Sequence, residues 1–245
     1  MIHLKPPLQR IKSAFLSAVF FVCLLYGCQT STYEPDPDAL GHRYFPLEVK
    51  SFRVYDVTET RYLHDLPTTT TYQVRERVDS VFTDLANQRA YRIVRSRRGN
   101  EAQVWVDDSV IVATRSISDL RVSRHNVKVV QMIFPVRNGK SWNPNAFNTA
   151  GAASFTYKDV GNPYSYDNKT YEKTATVVQG DVSNLIELDR REEVYAEDIG
   201  PVFKNYTRLN YCDNPARCAF NRQPTPYIQE GIRRIDKLIA FGKLP

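Results

Sequence analysis

Residues 51–62 of this chain, Ser51-Phe-Arg-Val-Tyr-Asp-Val-Thr-Glu-Thr-Arg-Tyr62, decide the expected fold. The stretch is rich in β-branched and aromatic residues, which favour strands over helices. Segments of the same kind follow, separated by turn dipeptides at 138–139, 143–144 and 200–201. Strands that succeed one another without intervening helices pair antiparallel. We therefore predict a mainly β single domain, formed by an antiparallel curved sheet or a partly closed barrel.

Further strands are predicted where β-branched and aromatic residues cluster, at 68–82, 90–95, 102–106, 109–113, 120–122, 127–134, 154–157, 171–179, 185–195 and 202–211. Asp107-Asp108 separates two apolar runs and predicts a hairpin turn. The last segment, Tyr227 to Phe241, has isoleucines at helical spacing but also alternates as a strand does. Because Gly231 would weaken a helix by about 1 kcal/mol, we predict a strand there.

The N-terminus has the layout of an export signal. Residues 1–12 carry three basic side chains and no acid, and an apolar run follows from Ala14 to Tyr26. This run is shorter than the roughly 20 residues that span a bilayer. It ends Leu25-Tyr26-Gly27-Cys28, which resembles the lipobox of bacterial lipoproteins. In that family the cysteine is lipidated and signal peptidase II cuts before it. Ordinary cleavage, leaving Cys28 as a free thiol, is the alternative.

This interpretation divides the chain into a signal peptide (1–27), a lipidated Cys28 with a flexible tether (28–43) and a β-rich domain (44–245). Two or three acyl chains on one cysteine hold a protein on a bilayer, since each buried methylene contributes about 0.8 kcal/mol. Gln29 is the residue directly after the cysteine. In lipoproteins of this kind an aspartate at that position would be unfavourable for sorting to the outer membrane. The resemblance therefore implies an outer-membrane lipoprotein, on the periplasmic or the surface side.

The charge balance argues against a nucleic-acid partner. The net charge of +6 includes the three basic residues of the signal segment, so the processed chain carries +3. A nucleic-acid binder would concentrate basic residues on one face. The densest basic cluster, Arg95, Arg97 and Arg98 beside Gly99-Asn100, is interpreted as a solvated hairpin tip, with an anion site as the alternative.

Two cysteines remain for the folded domain, Cys212 and Cys218, because Cys23 leaves with the signal and Cys28 takes lipid. Disulfides form in the compartments that exported proteins reach. A metal pair is the rival interpretation, but no further cysteine and no nearby histidine completes four ligands. We predict a disulfide and no metal.

No catalytic motif is present. His64 and His125 are the histidines that lie beyond the tether, and no Gly-x-Ser-x-Gly motif accompanies them. A serine triad on one of these histidines is a minor alternative, since triads assemble from distant positions. The paired acids Asp107-Asp108 and Glu192-Glu193 are neighbours, and neighbours in a strand point to opposite faces. We predict no catalytic residue, no cofactor and no enzymatic activity.

The segment from Trp142 to Tyr171 concentrates aromatic residues among Asn, Gly and Pro. Trp142, Tyr164 and Tyr166 are weak candidates for a ligand platform, because exposed aromatics with polar neighbours bind sugars or peptides. The alternative, which we favour, is a long loop that folds its aromatics onto the sheet and caps the core.

Three stretches, 44–55, 138–148 and 193–206, resemble uncharacterised β-rich lipoproteins of Bacteroidota, which open with a Phe-Pro-Leu stretch as at Phe45-Pro-Leu47. Lys50 stands where that family has glycine, and Pro201 where an aliphatic residue is usual. The resemblance implies a lipoprotein fold and no known activity. Three functions remain: a non-enzymatic protein that binds a ligand or partner on the curved sheet, a structural or assembly component of the outer membrane, and a hydrolase with an unrecognised site.

Overall fold

A computed structural model describes residues 36–212, 218 and 226–245. The predicted signal peptide, Cys28 and the first part of the tether lie outside the described residues. A short helix α1 (Pro37–Leu40) and a 3-10 turn (His42–Tyr44) come first. Twelve strands follow: β1 (Ser51–Leu63), β2 (Leu66–Thr83), β3 (Arg89–Arg98), β4 (Val106–Arg115), β5 (Asp119–Arg124), β6 (Val127–Ile133), β7 (Ser141–Trp142), β8 (Phe155–Tyr166), β9 (Lys169–Ser183), β10 (Glu187–Ala196), β11 (Gly200–Tyr211) and β12 (Ile228–Lys243).

All twelve strands belong to one antiparallel sheet, in the order β6-β5-β4-β3-β2-β1-β12-β11-β10-β9-β8-β7. Sequence neighbours pair throughout, except β6 and β7, and the first and last strands pair with each other at the middle of the order. The sheet curls into a nearly closed barrel, and its seam lies between β6 and β7. The predicted fold class, mainly β with a curved sheet or partly closed barrel, is confirmed.

The buried apolar residues form two clusters, and the larger one lies toward the end of the barrel where β1 begins. Alternate residues of each strand face inward, and the buried inward set on β3 to β6 is apolar: Tyr91, Ile93, Ile111, Ala113, Leu120, Val122 and Met132. The opposite wall contributes Tyr157, Ala175, Val177 and Tyr195 to the same cluster. Burying such side chains stabilises the fold by about 1.5–3 kcal/mol each.

The segment before β1 closes this end of the barrel. Tyr44, Phe45 and Leu47 are buried among the core residues. The Arg115 guanidinium donates to the carbonyls of His42 and Phe45, 3.3 and 3.2 Å away. The folded unit therefore begins at Asp36 and not at Tyr44. Residues 36–43, predicted to belong to the flexible tether, are instead hydrogen-bonded structure.

Side chains bridge the seam that strand pairing leaves open. The Trp142 indole donates to the Val130 carbonyl at 2.8 Å. The buried Tyr157 hydroxyl accepts from the Ile133 amide at 3.0 Å and donates to the Ile133 carbonyl at 2.9 Å. Burial raises the pKa of Tyr157, so this hydroxyl stays protonated and able to donate. Hydrogen bonds from these two side chains to the backbone of β6, rather than strand pairing, thus join the two edges of the sheet.

Two predicted local features differ in outcome. The last segment is a strand, as predicted. The hairpin turn predicted at Asp107-Asp108 is wrong: both residues belong to β4, and the turn lies at Gly99 to Trp105. The predicted strand at 102–106 is wrong for the same reason. Asp107 stays in the strand because it accepts a 2.7 Å hydrogen bond from the Ser96 hydroxyl on β3.

The part of the chain that the structure describes holds no helix long and apolar enough to cross a bilayer.

Candidate functional site: a charged cavity inside the barrel

The barrel encloses a cavity of about 410 Å³ beyond the apolar core. We call it the central cavity. It lies in the half of the barrel opposite to the end that residues 36–47 close, and nine of the twelve strands reach it or flank it. Its charged lining residues are Glu59, Arg61, Glu76, Arg95, Arg124, Glu193, Lys204, Arg234 and Asp236.

Strand alternation explains how charge comes to lie inside. On β2, the inward series passes from the apolar Val78 to Glu76, two residues further from the closed end. On β12 the same step leads from the buried Leu238 to Asp236 and then to Arg234. Charged side chains therefore face the interior next to buried apolar ones, since Val74 and Tyr72 follow Glu76 on the same face of β2.

Glu76 lines the central cavity and is 7% exposed. Lys204 on β11 reaches it from across the barrel, with Nζ 3.3 Å from Oε1. Burial alone would raise the pKa of Glu76, but Lys204, Arg53, Arg124 and Arg95 together lower it to about 2. The carboxylate is therefore ionised at neutral pH, and the space around it is dominated by positive charge.

Two further acids of the central cavity are paired within the protein. Arg234 binds Asp236 through two hydrogen bonds, of 2.7 and 2.8 Å. Glu59 accepts from Arg61 at 2.8 Å and from the Tyr72 hydroxyl at 3.0 Å. Burial opposes ionisation of Glu59, but these hydrogen bonds outweigh it and lower the pKa.

The fourth acid, Glu193, is held by neutral donors. The Tyr195 hydroxyl donates to its Oε2, and the Gln131 amide donates to the same oxygen at 3.1 Å. Gln131 also donates to the Tyr195 hydroxyl at 2.7 Å. Burial first, and then the adjacent Glu193 charge, raise the pKa of Tyr195 well above its usual value. This network joins β6 to β10 across the interior.

Two cations of the central cavity keep donor capacity. Arg95 has one ion pair, with Asp108 at 3.5 Å. Arg124 makes no ion pair within 4.0 Å and no side-chain hydrogen bond with any described residue. A guanidinium has five donors, so most of the donors of Arg95 and Arg124, which line the cavity, have no partner among the described residues. The basic cluster interpreted as a solvated tip is thus divided: Arg97 is exposed at the hairpin, whereas Arg95 lines the central cavity.

The residues considered for acid–base chemistry do not form a catalytic arrangement. His125 lies at the mouth of the central cavity, exposed in a tight turn. The nearby Ser109 hydroxyl donates to Asp108 at 2.7 Å rather than to His125. His64 is exposed in the turn between β1 and β2. Of the pair Glu192-Glu193, Glu193 lines the cavity and Glu192 does not.

The structure does not bring the three aromatic candidates into one platform. Trp142 packs against Phe155 and Tyr157, with ring centroids 5.9 and 4.6 Å apart. Tyr164 and Tyr166 instead pack against Phe203 at 5.6 and 5.8 Å. All three candidates are partly buried. Their contacts fit packing onto the sheet better than an exposed platform, but the predicted long loop is wrong, because Trp142 belongs to β7 and Tyr164 and Tyr166 belong to β8.

Cys212 and Cys218 are joined as a disulfide, with Cα atoms 6.4 Å apart, a separation typical of such bridges. Among residues 36–212, 218 and 226–245, no group of three or more His, Cys, Asp or Glu residues is placed to hold a metal ion.

Sequence reasoning missed the central cavity, although one signal for it exists. Segments such as Arg75-Glu-Arg77 and Arg233-Arg-Ile-Asp236 are polar on both strand faces. Only one face of a barrel strand meets solvent, so charge on both faces implies a polar interior.

We compared the chain with known proteins: no family model, no curated protein and no solved structure matches it.

Proposed function

We propose that this protein is a lipid-anchored envelope lipoprotein whose barrel binds a small polar ligand in the central cavity without transforming it. The observation that carries the proposal is a cavity of about 410 Å³ lined by nine charged side chains inside a barrel. Its volume falls within the range of about 300–1,000 Å³ that small-molecule sites occupy. Moving charges out of water is costly even when they are paired, so an apolar interior would suit a purely structural barrel better.

The alternative functions gain less support. An assembly component needs a filled interior and an outer contact surface, whereas this interior contains a cavity of about 410 Å³. A hydrolase of the two-carboxylate type needs an acid that is protonated near neutral pH. Glu59 and Glu76 have lowered pKa values, which suits permanent negative charge and not proton donation.

Binding is tested by a thermal-shift screen with small neutral, anionic and cationic compounds. Ser109 pairs with Arg95 across β3 and β4 and faces the cavity, so Ser109→Trp fills the space. Ser123→Trp is the matched control, because Ser123 follows the inward-facing Val122 and lies on the outer face of β5. We expect a compound that raises Tm of the wild type and of Ser123→Trp but not of Ser109→Trp. No such compound, or one that stabilises all three proteins alike, contradicts the proposal.

The anchor is tested at Cys28. Cys28→Ser removes the thiol that would carry lipid, and we expect the domain to move from the membrane fraction to the soluble fraction. Cys23→Ser is the matched control, since Cys23 lies within the apolar run and should leave fractionation unchanged. A Cys28→Ser protein that stays with the membrane after a high-salt wash argues against lipidation. The folded unit begins at Asp36. The segment that follows Asp36 closes the end of the barrel opposite to the cavity mouth.

A further inference from the structure

We propose that the central cavity binds the anionic group of its ligand, a carboxylate or a phosphate, between the guanidinium groups of Arg124 and Arg95. This inference rests on the proposed binding function and adds the chemical class of the ligand.

The first step is the state of the acids that line the cavity. Each already accepts hydrogen bonds within the protein: Glu59 from Arg61, Glu76 from Lys204, Asp236 from Arg234 and Glu193 from Tyr195. The three acids in ion pairs thus cancel three of the cavity's cations, Arg61, Lys204 and Arg234. A cationic ligand at Glu59, Glu76 or Asp236 would have to compete with these cations, whereas Glu193 is held by neutral donors alone.

The second step is the state of the two remaining cations. Arg124 has no ion pair with any described residue, and Arg95 has only the 3.5 Å contact with Asp108. Asp108 is in turn engaged by the Ser109 hydroxyl. An arginine fork matches the geometry of a carboxylate or a phosphate and binds either through two parallel hydrogen bonds. An anion is therefore the ligand group that would use the free donors.

The third step is convergence of the two side chains. Arg95 pairs with Ser109, and Ile111 pairs with Arg124, so the two arginines flank β4 from either side on its inner face. Strands lie about 4.8 Å apart, which places the two backbones roughly 10 Å apart. Two extended guanidinium side chains can close that distance around one small anion. Both also act on Glu76: each helps to lower the pKa of its carboxyl, so both face the same interior space.

The probes are succinate and inorganic phosphate, with succinamide as the uncharged analogue of succinate and 1,4-diaminobutane as the cation. Binding is measured by calorimetry on the folded domain. We expect succinate or phosphate to bind, succinamide to bind at least about tenfold more weakly, and the diamine not to bind. Comparison of the affinities for succinate and for phosphate shows which of the two anions the site prefers.

The variants are Arg124→Gln and Arg95→Gln, each expected to raise the Kd of the anion by about tenfold or more. Arg124→Lys keeps the charge but loses the fork, and should bind with intermediate affinity. Arg121→Gln is the matched control, because Arg121 lies on the outer face of β5 and is paired with Asp119. Its affinity should equal that of the wild type. Circular dichroism confirms that each variant is folded.

The outcomes separate the two proposals. Anion binding that persists in Arg124→Gln and Arg95→Gln overturns the inference, as does failure of both anions to bind at millimolar concentration. If neutral or cationic compounds bind to the wild type but not to Ser109→Trp, the cavity binds another class of ligand. In that case the inference of an anionic ligand is wrong and the proposed binding function stands. If nothing binds, both proposals fall.

Discussion

At the scale of single residues, the barrel interior has a strong effect on the ionisation of Glu76. Its carboxylate is buried, yet nearby cations lower its pKa to about 2, from the ordinary value of 4.5. A second residue under constraint is Lys50, which has a φ of 73°, in the left-handed region where glycine is favoured. A residue with a side chain thus occupies a backbone conformation that glycine adopts more readily.

The lowered pKa of Glu76 makes stability depend on pH. Because its folded pKa lies below the unfolded value of 4.5, the ionised carboxylate stabilises the fold above pH 4.5. This contribution, about 3 kcal/mol, is lost as the pH falls from about 4.5 to about 2. Glu76→Gln should lower the free energy of unfolding at pH 7 by about 3 kcal/mol, since Lys204 loses its partner. The difference from wild type should shrink as the pH falls through this window.

Denaturant melts at several pH values measure this effect. Glu48→Gln is the control, because Glu48 pairs with Lys243 at the surface, with the two side chains 64% and 55% exposed. Such a pair contributes about 0–1 kcal/mol, and the variant should follow the wild type at every pH. A Glu76→Gln variant as stable as the wild type at pH 7 would show that the pair with Lys204 contributes no net stability.

At the scale of elements, β12 holds the sheet together because it pairs with both β1 and β11. Gly231 sits opposite Leu209 in this strand, with a φ of 155°. A Cβ at this position would lie 2.5 Å from the Arg208 carbonyl oxygen and 2.8 Å from the Leu209 Cα. The same glycine that argued against a helix is therefore required by the close approach of β11.

Gly231→Ala should destabilise the protein by about 1–3 kcal/mol, because backbone atoms of β11 must move or φ must change. Gly242→Ala in the same strand is the matched control. A Cβ there meets only Phe52, at 3.5 and 3.6 Å, which is ordinary contact, so its stability should stay within about 0.5 kcal/mol of wild type. Thermal melts measure the loss of stability in each variant. Equal losses in the two variants would refute the close-approach argument.

At the scale of the whole molecule, closure of the barrel depends on contacts that no strand ladder supplies. The seam between β6 and β7 is bridged by Trp142 and Tyr157, which bond to backbone groups of Val130 and Ile133. The strands that line the central cavity run from β5 to β9 in the sheet order, so their residues surround one space because the sheet curls.

Trp142→Ala should therefore cost about 3 kcal/mol, the lower end for large core aromatics because this ring is partly buried. Trp105→Ala is the matched control in a chain with two tryptophans. Trp105 lies outside the barrel against the guanidinium groups of Arg75 and Arg98, at 4.9 and 4.3 Å. Losing those contacts should cost about 1 kcal/mol. An unchanged denaturation midpoint for Trp142→Ala would reject its role in closing the seam.

The outcome for individual elements shows how far local patterns reach. The β-branched and aromatic segments became strands, except 102–106, and they include Tyr227 to Phe241, where β-sheet pairing prevailed over helical spacing. The Asp107-Asp108 turn failed because the neighbouring strand supplies partners for both acids: Ser96 donates a hydrogen bond to Asp107, and Arg95 forms an ion pair with Asp108. The turn formed instead at Gly99, where Gln103 accepts from the Gly99 amide at 2.8 Å. Such cross-strand partners are invisible to turn preferences.

The sequence by itself determined that this chain forms antiparallel strands and that Cys212 pairs with Cys218, because side-chain shape and the supply of cysteines are local properties. Tertiary structure alone decided that the sheet closes and that Glu76, Lys204, Arg95 and Arg124 share one enclosed space. An alternating run of charged residues has the same sequence pattern whether the charged face of the strand meets solvent or the inside of a barrel. The curvature of the sheet sends these residues inward, and closure brings strands from both ends of the chain together around the central cavity.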